Sequence, residues 1–145
     1  MSKNWVQDVS EMQGKYHTRK WVSENPTKLK EFLKFRLEFL NEELAETWKA
    51  FDESDADELV DGLIDLAVIA IGTLDAFDVN AYKAWDSVLK ANTSKEIGQK
   101  PSRPNPLGVP DLIKPEGWTA PSHLDNCGLF NDVFGVQAGQ MDLFK

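Results

Sequence analysis

The sequence predicts an all-α fold: a four-helix bundle followed by a proline-rich C-terminal arm. Three observations predict it. Apolar residues recur every three or four positions through four successive segments. No stretch of this half alternates with the period of two that a half-buried strand requires, and there is no internal repeat. Six of the seven prolines fall between Pro101 and Pro121, where no regular helix can run. A chain of 145 residues suits one domain with a real core plus an appendage. The expected division is a helical domain over residues 1–98, with the arm and tail over 99–145.

The first helix is expected from Ser2 to about Lys20, with Val6, Val9, Met12 (or Gln13) and Tyr16 on one side. Gly14 in its interior costs about 1 kcal/mol against Ala, so a bend or break is expected there. Asn25-Pro26 reads as a helix start, with Asn25 as cap and Pro26 in the first turn. The second helix then runs to about Phe51. Its apolar stripe, Leu33, Leu37, Leu40, Leu44, Trp48 and Phe51, is expected to face the core. Ser54 or Asp55 caps the third helix, which ends near Phe77, and Asp55 with Glu58 has the spacing of a capping box. Asn80 caps a fourth helix over Ala81 to about Ala91, with Tyr82, Trp85, Val88 and Leu89 inward. Trp48 and Trp85 read as core residues. Beyond Gly98 the chain is expected to be extended. Leu107, Val109, Leu112, Ile113 and Trp118 are available to dock on the bundle or on a neighbouring subunit. Residues 126 to 139 read as another docking segment or a short helix.

The third helix holds the main chemical signal. Glu58, Asp61 and Asp65 share one side of a helix that is otherwise apolar, within about 60° of one another at about 100° per residue. Stacked carboxylates in a core helix are costly unless paired or metal-bound. The second helix supplies Glu42, Glu43 and Glu46. On the wheel, Glu43 and Glu46 lie beside the apolar stripe and Glu42 lies further toward solvent. The link between the two helices is short, so they should be antiparallel neighbours. Glu43 and Glu46 can then meet Glu58 and Asp61 across the seam. Oxygen ligands with no His and no usable Cys suit a hard cation, Mg²⁺ or Mn²⁺. The competing reading is a solvated acidic face.

Net charge is −8, which argues against direct nucleic-acid binding, since phosphate backbones need a basic patch. Small phosphorylated ligands stay open, because a divalent ion inverts the local field. The single cysteine, Cys127, cannot form an internal disulfide, so a reducing cytoplasm is expected. There is no signal-peptide pattern, and the longest apolar run is too short and interrupted for a membrane span.

The ordered set Glu42-Glu43-Leu44-Ala45-Glu46, eleven residues, then Glu58-Leu59-Val60-Asp61 fits E-E-x-x-E…E-x-x-D. It resembles the all-α nucleoside triphosphate pyrophosphohydrolases, the MazG-like group that includes dimeric dUTPases and phosphoribosyl-ATP pyrophosphohydrolase. Asp8 to His17, Gly62-Leu63-Ile64-Asp65-Leu66, Ile71-Gly72-Thr73, Asn92 to Lys95 and Lys114 to Pro121 extend the similarity to phage-type members, over roughly Lys3 to Pro121. The resemblance implies cleavage of a (d)NTP between its α- and β-phosphates, giving monophosphate and pyrophosphate. It implies that Glu43, Glu46, Glu58 and Asp61 are metal ligands and that Asp65 is a further ligand or supports one. It allows two or three ions per site, and Glu42 would assist a second or third ion or, with Glu43, orient the water. It implies that Asn92 and Lys95 contact phosphate or nucleoside; the plainer readings are a helix C-cap and a helix-end cation. Phage relatives include MazZ-like enzymes acting on dGTP, so a guanine preference is one expectation and dUTP the nearest rival. Relatives build dimers or tetramers, and a homo-oligomer is expected here.

Phe32, Phe35 and Phe39 lie on the flank of Glu43 and Glu46, where aromatics either stack on a base or pack a subunit interface. Trp21, Trp5 and His17 are further pocket candidates. At the C-terminus, Gln140-Met141-Asp142-Leu143-Phe144 resembles the peptide by which bacterial replication proteins bind the sliding clamp. In that reading Leu143 and Phe144 enter an apolar pocket and Gln140 hydrogen-bonds at its rim. The alternatives are a tail folded on its own domain and, for the whole chain, a non-catalytic helical interaction protein or an ion-binding structural bundle.

Overall fold

The structure, a computed structural model, describes residues 1–135. The chain runs through α1 (Trp5–Lys15), α2 (Thr18–Glu24), a 3₁₀ turn (Pro26–Lys28), α3 (Leu29–Asp52), α4 (Ala56–Ala76), α5 (Ala81–Thr93), β1 (Glu96–Gly98), β2 (Asp111–Ile113) and α6 (Phe130–Val133). The fold is helical, and among the described residues the only strands are this short pair. It forms two compact units, one of Met1–Ala81 with the segment from Cys127 onward, the other Tyr82–Asn126. Leu129, Phe130 and Val133 return to close the core of the first unit.

In the first unit the expected opening helix is two helices. Gly14 does not break α1. The break falls at Tyr16–His17, and His17 takes a left-handed conformation with φ 60°. Gly14 instead leaves room for Arg19, whose guanidinium would lie 3.0 Å from a Cβ placed there. Arg19 folds back to donate to the Ser10 carbonyl at 2.9 Å and to Asp75 on α4 at 2.8 Å. Asn25 makes no side-chain cap; its amide donates to the Trp21 carbonyl, and Pro26 opens the 3₁₀ turn ahead of α3. Asp55 caps α4 by accepting from the Glu58 backbone N–H at 3.1 Å.

α3 and α4 are antiparallel, because Arg36 near the start of α3 reaches Ile69 and Thr73 while Thr47 near its end meets Gly62. The core cluster joins Val22, Leu29, Ala76 and the fully buried Phe77, with Phe32, Leu33, Leu129, Phe130 and Val133 packed on it. Phe77 stacks between Phe32 and Phe130, at 5.7 and 4.7 Å between ring centroids. Gly128 makes the return possible. Its φ is +50°, a Cβ there would lie 2.2 Å from the Phe77 carbonyl, and the next N–H, of Leu129, donates to that carbonyl at 2.7 Å.

The predicted inward faces are corrected in two places. On α3 the buried residues are Leu29, Thr47 and Ala50, while Leu37, Leu44, Trp48 and Phe51 are exposed, the last two at 60%. The helix is turned about a quarter-revolution from the expected orientation. On α5, Tyr82, Trp85, Val88 and Leu89 are exposed and Ala91 is buried. Trp48 and Trp85 are therefore not core residues in the single chain.

In the second unit, β1 and β2 pair antiparallel with Ile97 opposite Leu112. A strap over 115–122 lies along α5, where Trp118 donates from its indole nitrogen to the Ala91 carbonyl at 2.8 Å. Lys95 and Lys114 stand over the Trp118 ring. No helix among the described residues is long and apolar enough to cross a membrane.

Candidate active site

The turn of α3 brings its acids toward α4. Glu43 lies on the half-buried flank with Arg36 and Thr47, three positions two and one turns apart on one face. Asp65 is half-buried on α4, on the same face as the buried Gly62, Ile69 and Gly72. Gly62 sets the approach of the helices, because a Cβ there would lie 2.4 Å from the Thr47 hydroxyl. Thr47 in turn donates that hydroxyl to the Glu43 carbonyl at 2.7 Å. Small residues therefore hold the seam closed beside the carboxylates.

Charge couples Glu43 to acids of both helices. The Glu43 carboxyl is pushed above its ordinary range, first by burial and then by the charges of Asp65, Glu46, Asp61 and Glu42. Acids from both helices thus act on one group. Glu58, a turn earlier at the start of α4, is exposed and is not among those charges. None of Glu42, Glu43, Glu46, Glu58, Asp61 and Asp65 has a basic side chain within ion-pair distance among the described residues. Nor do three or more His, Cys, Asp or Glu side chains close into a ligand cluster among those residues. The donor chemistry fits a hard divalent cation: carboxylate oxygens from two packed helices, with a deficit of positive charge.

Arg36 was not singled out from the sequence. It is half-buried, and burial holds its guanidinium below the ordinary value. It donates to the Thr73 hydroxyl and the Ile69 carbonyl, both at 3.0 Å, and lies over the Phe39 ring. Beside it, the buried Gln13 donates to the Gly72 carbonyl at 3.0 Å. The usable signal was the pair Gly62 and Gly72 in a greasy helix, since glycines there mark close approach.

Trp21 packs on Phe32 at 5.2 Å, and a cleft of about 400 Å³ is lined by Trp21, Lys28, Glu31, Phe32 and Phe35. Phe39 is half-buried and stacks on Phe35 at 6.4 Å. Phe35 precedes Glu43 on α3 by roughly 12 Å of helix rise. In the second unit Lys95 donates to the Asn92 side-chain oxygen at 2.9 Å. A second cleft, of about 550 Å³, lies wholly in that unit between α5 and the strap and contains none of the six acids. Gln140, Leu143 and Phe144 lie outside the described residues.

A helical chain with this seam has the MazG-like nucleotide pyrophosphohydrolase type of fold. The sequence model of the family described as phosphoribosyl-ATP pyrophosphohydrolase matches residues 7–92, more than half of the chain, and the chain belongs to that family. Pyrophosphohydrolase activity in general follows from this membership. The match takes in all six acids, Trp21, Phe39 and Asn92, and stops before Lys95 and the arm. No curated protein and no solved structure matches the chain.

Proposed function

We propose that this chain is a divalent-metal-dependent nucleoside triphosphate pyrophosphohydrolase that releases pyrophosphate and a nucleoside monophosphate. The observation that carries the reading is Glu43, its carboxyl raised first by burial and then by acids of both α3 and α4, with no basic side chain at ion-pair distance among the described residues. Glu43, Glu46, Glu58 and Asp61 would hold Mg²⁺ or Mn²⁺, with Asp65 as an added or supporting ligand. When bound, the metal supplies charge neutralisation for the phosphates and a more acidic water. Glu42 and Glu43 would accept hydrogen bonds from that water and set its direction. Asn92 and Lys95 would contact phosphate or nucleoside. The aromatic cleft at Trp21, with Phe39 next along α3, is offered to the base.

A substrate panel tests this, with products separated by chromatography and with EDTA as the control. The resemblance to phage members puts dGTP and GTP first and dUTP next, with phosphoribosyl-ATP beside them on the family's name. The expected products are monophosphate and pyrophosphate in Mg²⁺ or Mn²⁺ only. Diphosphate with inorganic phosphate, or no turnover of any member, would refute the reading. A role in phage nucleotide pools within the host cytoplasm goes with a dGTP or dUTP preference. The tail at Gln140, Leu143 and Phe144 would bring the enzyme to a bacterial sliding clamp, which a pull-down with a tail peptide tests.

Self-association belongs to the same reading. The exposed stripe on α3 and the exposed Val60, Leu63 and Ile64 on α4 leave two apolar helix faces bare in one chain. Apolar helix faces of this extent call for cover, and a second copy is the expected cover, as a dimer or tetramer.

A further inference from the structure

The β1–β2 hairpin and its long loop form an arm with an apolar surface and the wrong charge for the rest of the chain. Ile97 and Leu112 are directly opposed and exposed at 79% and 41%; Leu107 and Val109 in the loop are exposed at 85% and 55%. Strands of three residues form a pair that is marginal by itself in water. Inside the arm, Arg103 bonds Asp111 and the Asn105 side chain bonds the Val109 carbonyl at 2.7 Å, so the loop has its own ties but no apolar cover. From Lys95 to Lys114 the chain carries four basic residues against two acids. From Leu29 to Ala76 it carries thirteen acids against four basic residues.

We propose that this arm docks on the exposed α3–α4 surface of a second copy of the chain. The inference rests on the self-association proposed above and adds the surface that makes it. Three features match. The α3 stripe from Leu37 to Phe51 is roughly 20 Å long, enough for a short hairpin with its loop. Both surfaces present branched aliphatic side chains without cover. The arm's excess of positive charge meets helices whose bordering Asp52 and Asp57 have no ion-pair partner among the described residues. Opposite potentials at a protein surface steer and register such an encounter.

The test mixes light and heavy isotope-labelled copies of the full chain, then couples lysine to carboxylate with a carbodiimide. Mass spectrometry should find Lys100 or Lys114 joined to Asp52, Asp57 or a neighbouring acid of the differently labelled copy. The double variant Leu107→Asp, Val109→Asp should lose these crosslinks and fall in mass by light scattering. Turnover per chain separates its failure from failure of the proposed activity. Crosslinks confined to one label, a wild-type monomer, or unchanged mass in the variant would each overturn the proposal. If Trp48→Glu alone dissociates the assembly while the arm variant does not, the helix faces associate without the arm, and the proposal is again refuted.

Discussion

Glu43 binds its proton more tightly in the folded chain than a free glutamate does, because burial and four neighbouring carboxylates oppose its charge. The folded state therefore holds more protons than the unfolded state just above the ordinary glutamate range. Stability contributed at this site falls as pH rises through that range and is recovered on acidification. A divalent cation should reverse the effect. Glu43→Gln removes the repulsion from four carboxylates, at a few tenths of a kcal/mol per like-charge pair, so without metal it should melt about 3–5 °C higher near neutral pH. The same variant should lose both turnover and the rise in melting temperature on adding Mn²⁺. Melting curves in EDTA and in Mn²⁺ measure both, and a lower melting point in EDTA would count against repulsion at Glu43. Gly62 is the second informative residue. A methyl group there overlaps the Thr47 hydroxyl, so Gly62→Ala should cost about 1–3 kcal/mol by urea unfolding. Adding Thr47→Ala should return part of it, since the two sites touch.

α4 was legible from the sequence to within one residue of its cap, because the apolar run has one period and Ser54 and Asp55 both suit the start; Asp55 takes the role. α3 was legible in extent but not in orientation. Its stripe of Leu, Trp and Phe satisfied the rule for an inward face, and that rule does not say which molecule lies inward. The packing follows smaller signals: Thr47 against Gly62, and Arg36 bonded to Ile69 and Thr73. The proposed site was legible as a set of acids on two helices because charge and spacing are local properties. Arg36 and Gln13 were not, since a lone polar residue shows its partners only after the helices are placed. Gln13-Gly14 looked like a breaker and instead carries a buried amide and a passage for Arg19. The return of α6 likewise depends on a contact fifty residues away. Gly128→Ala should cost at least as much as Gly62→Ala, because both the positive φ and the Phe77 carbonyl exclude the methyl. Phe77→Ala should cost about 3–5 kcal/mol by removing the central ring of the stack. Urea unfolding checks both.

For the molecule as a whole, the surface is the main departure from what a lone chain would choose. Trp48, Phe51, Leu63 and Ile64 are all more than 40% exposed, and such patches mark interaction sites. Trp48→Glu with Leu63→Glu should yield a smaller species by light scattering with helical circular dichroism retained. An unchanged mass would assign those faces another role.

The ring stack around Phe77 also has a temporal side. Its third member, Phe130, lies far along the polypeptide from Phe32. During synthesis the carboxylate-bearing hairpin must leave the ribosome well before the residue that finishes its interior. A nascent chain arrested before Gly128 would offer an open aromatic face to chaperones and proteases, and one released after Val133 would not.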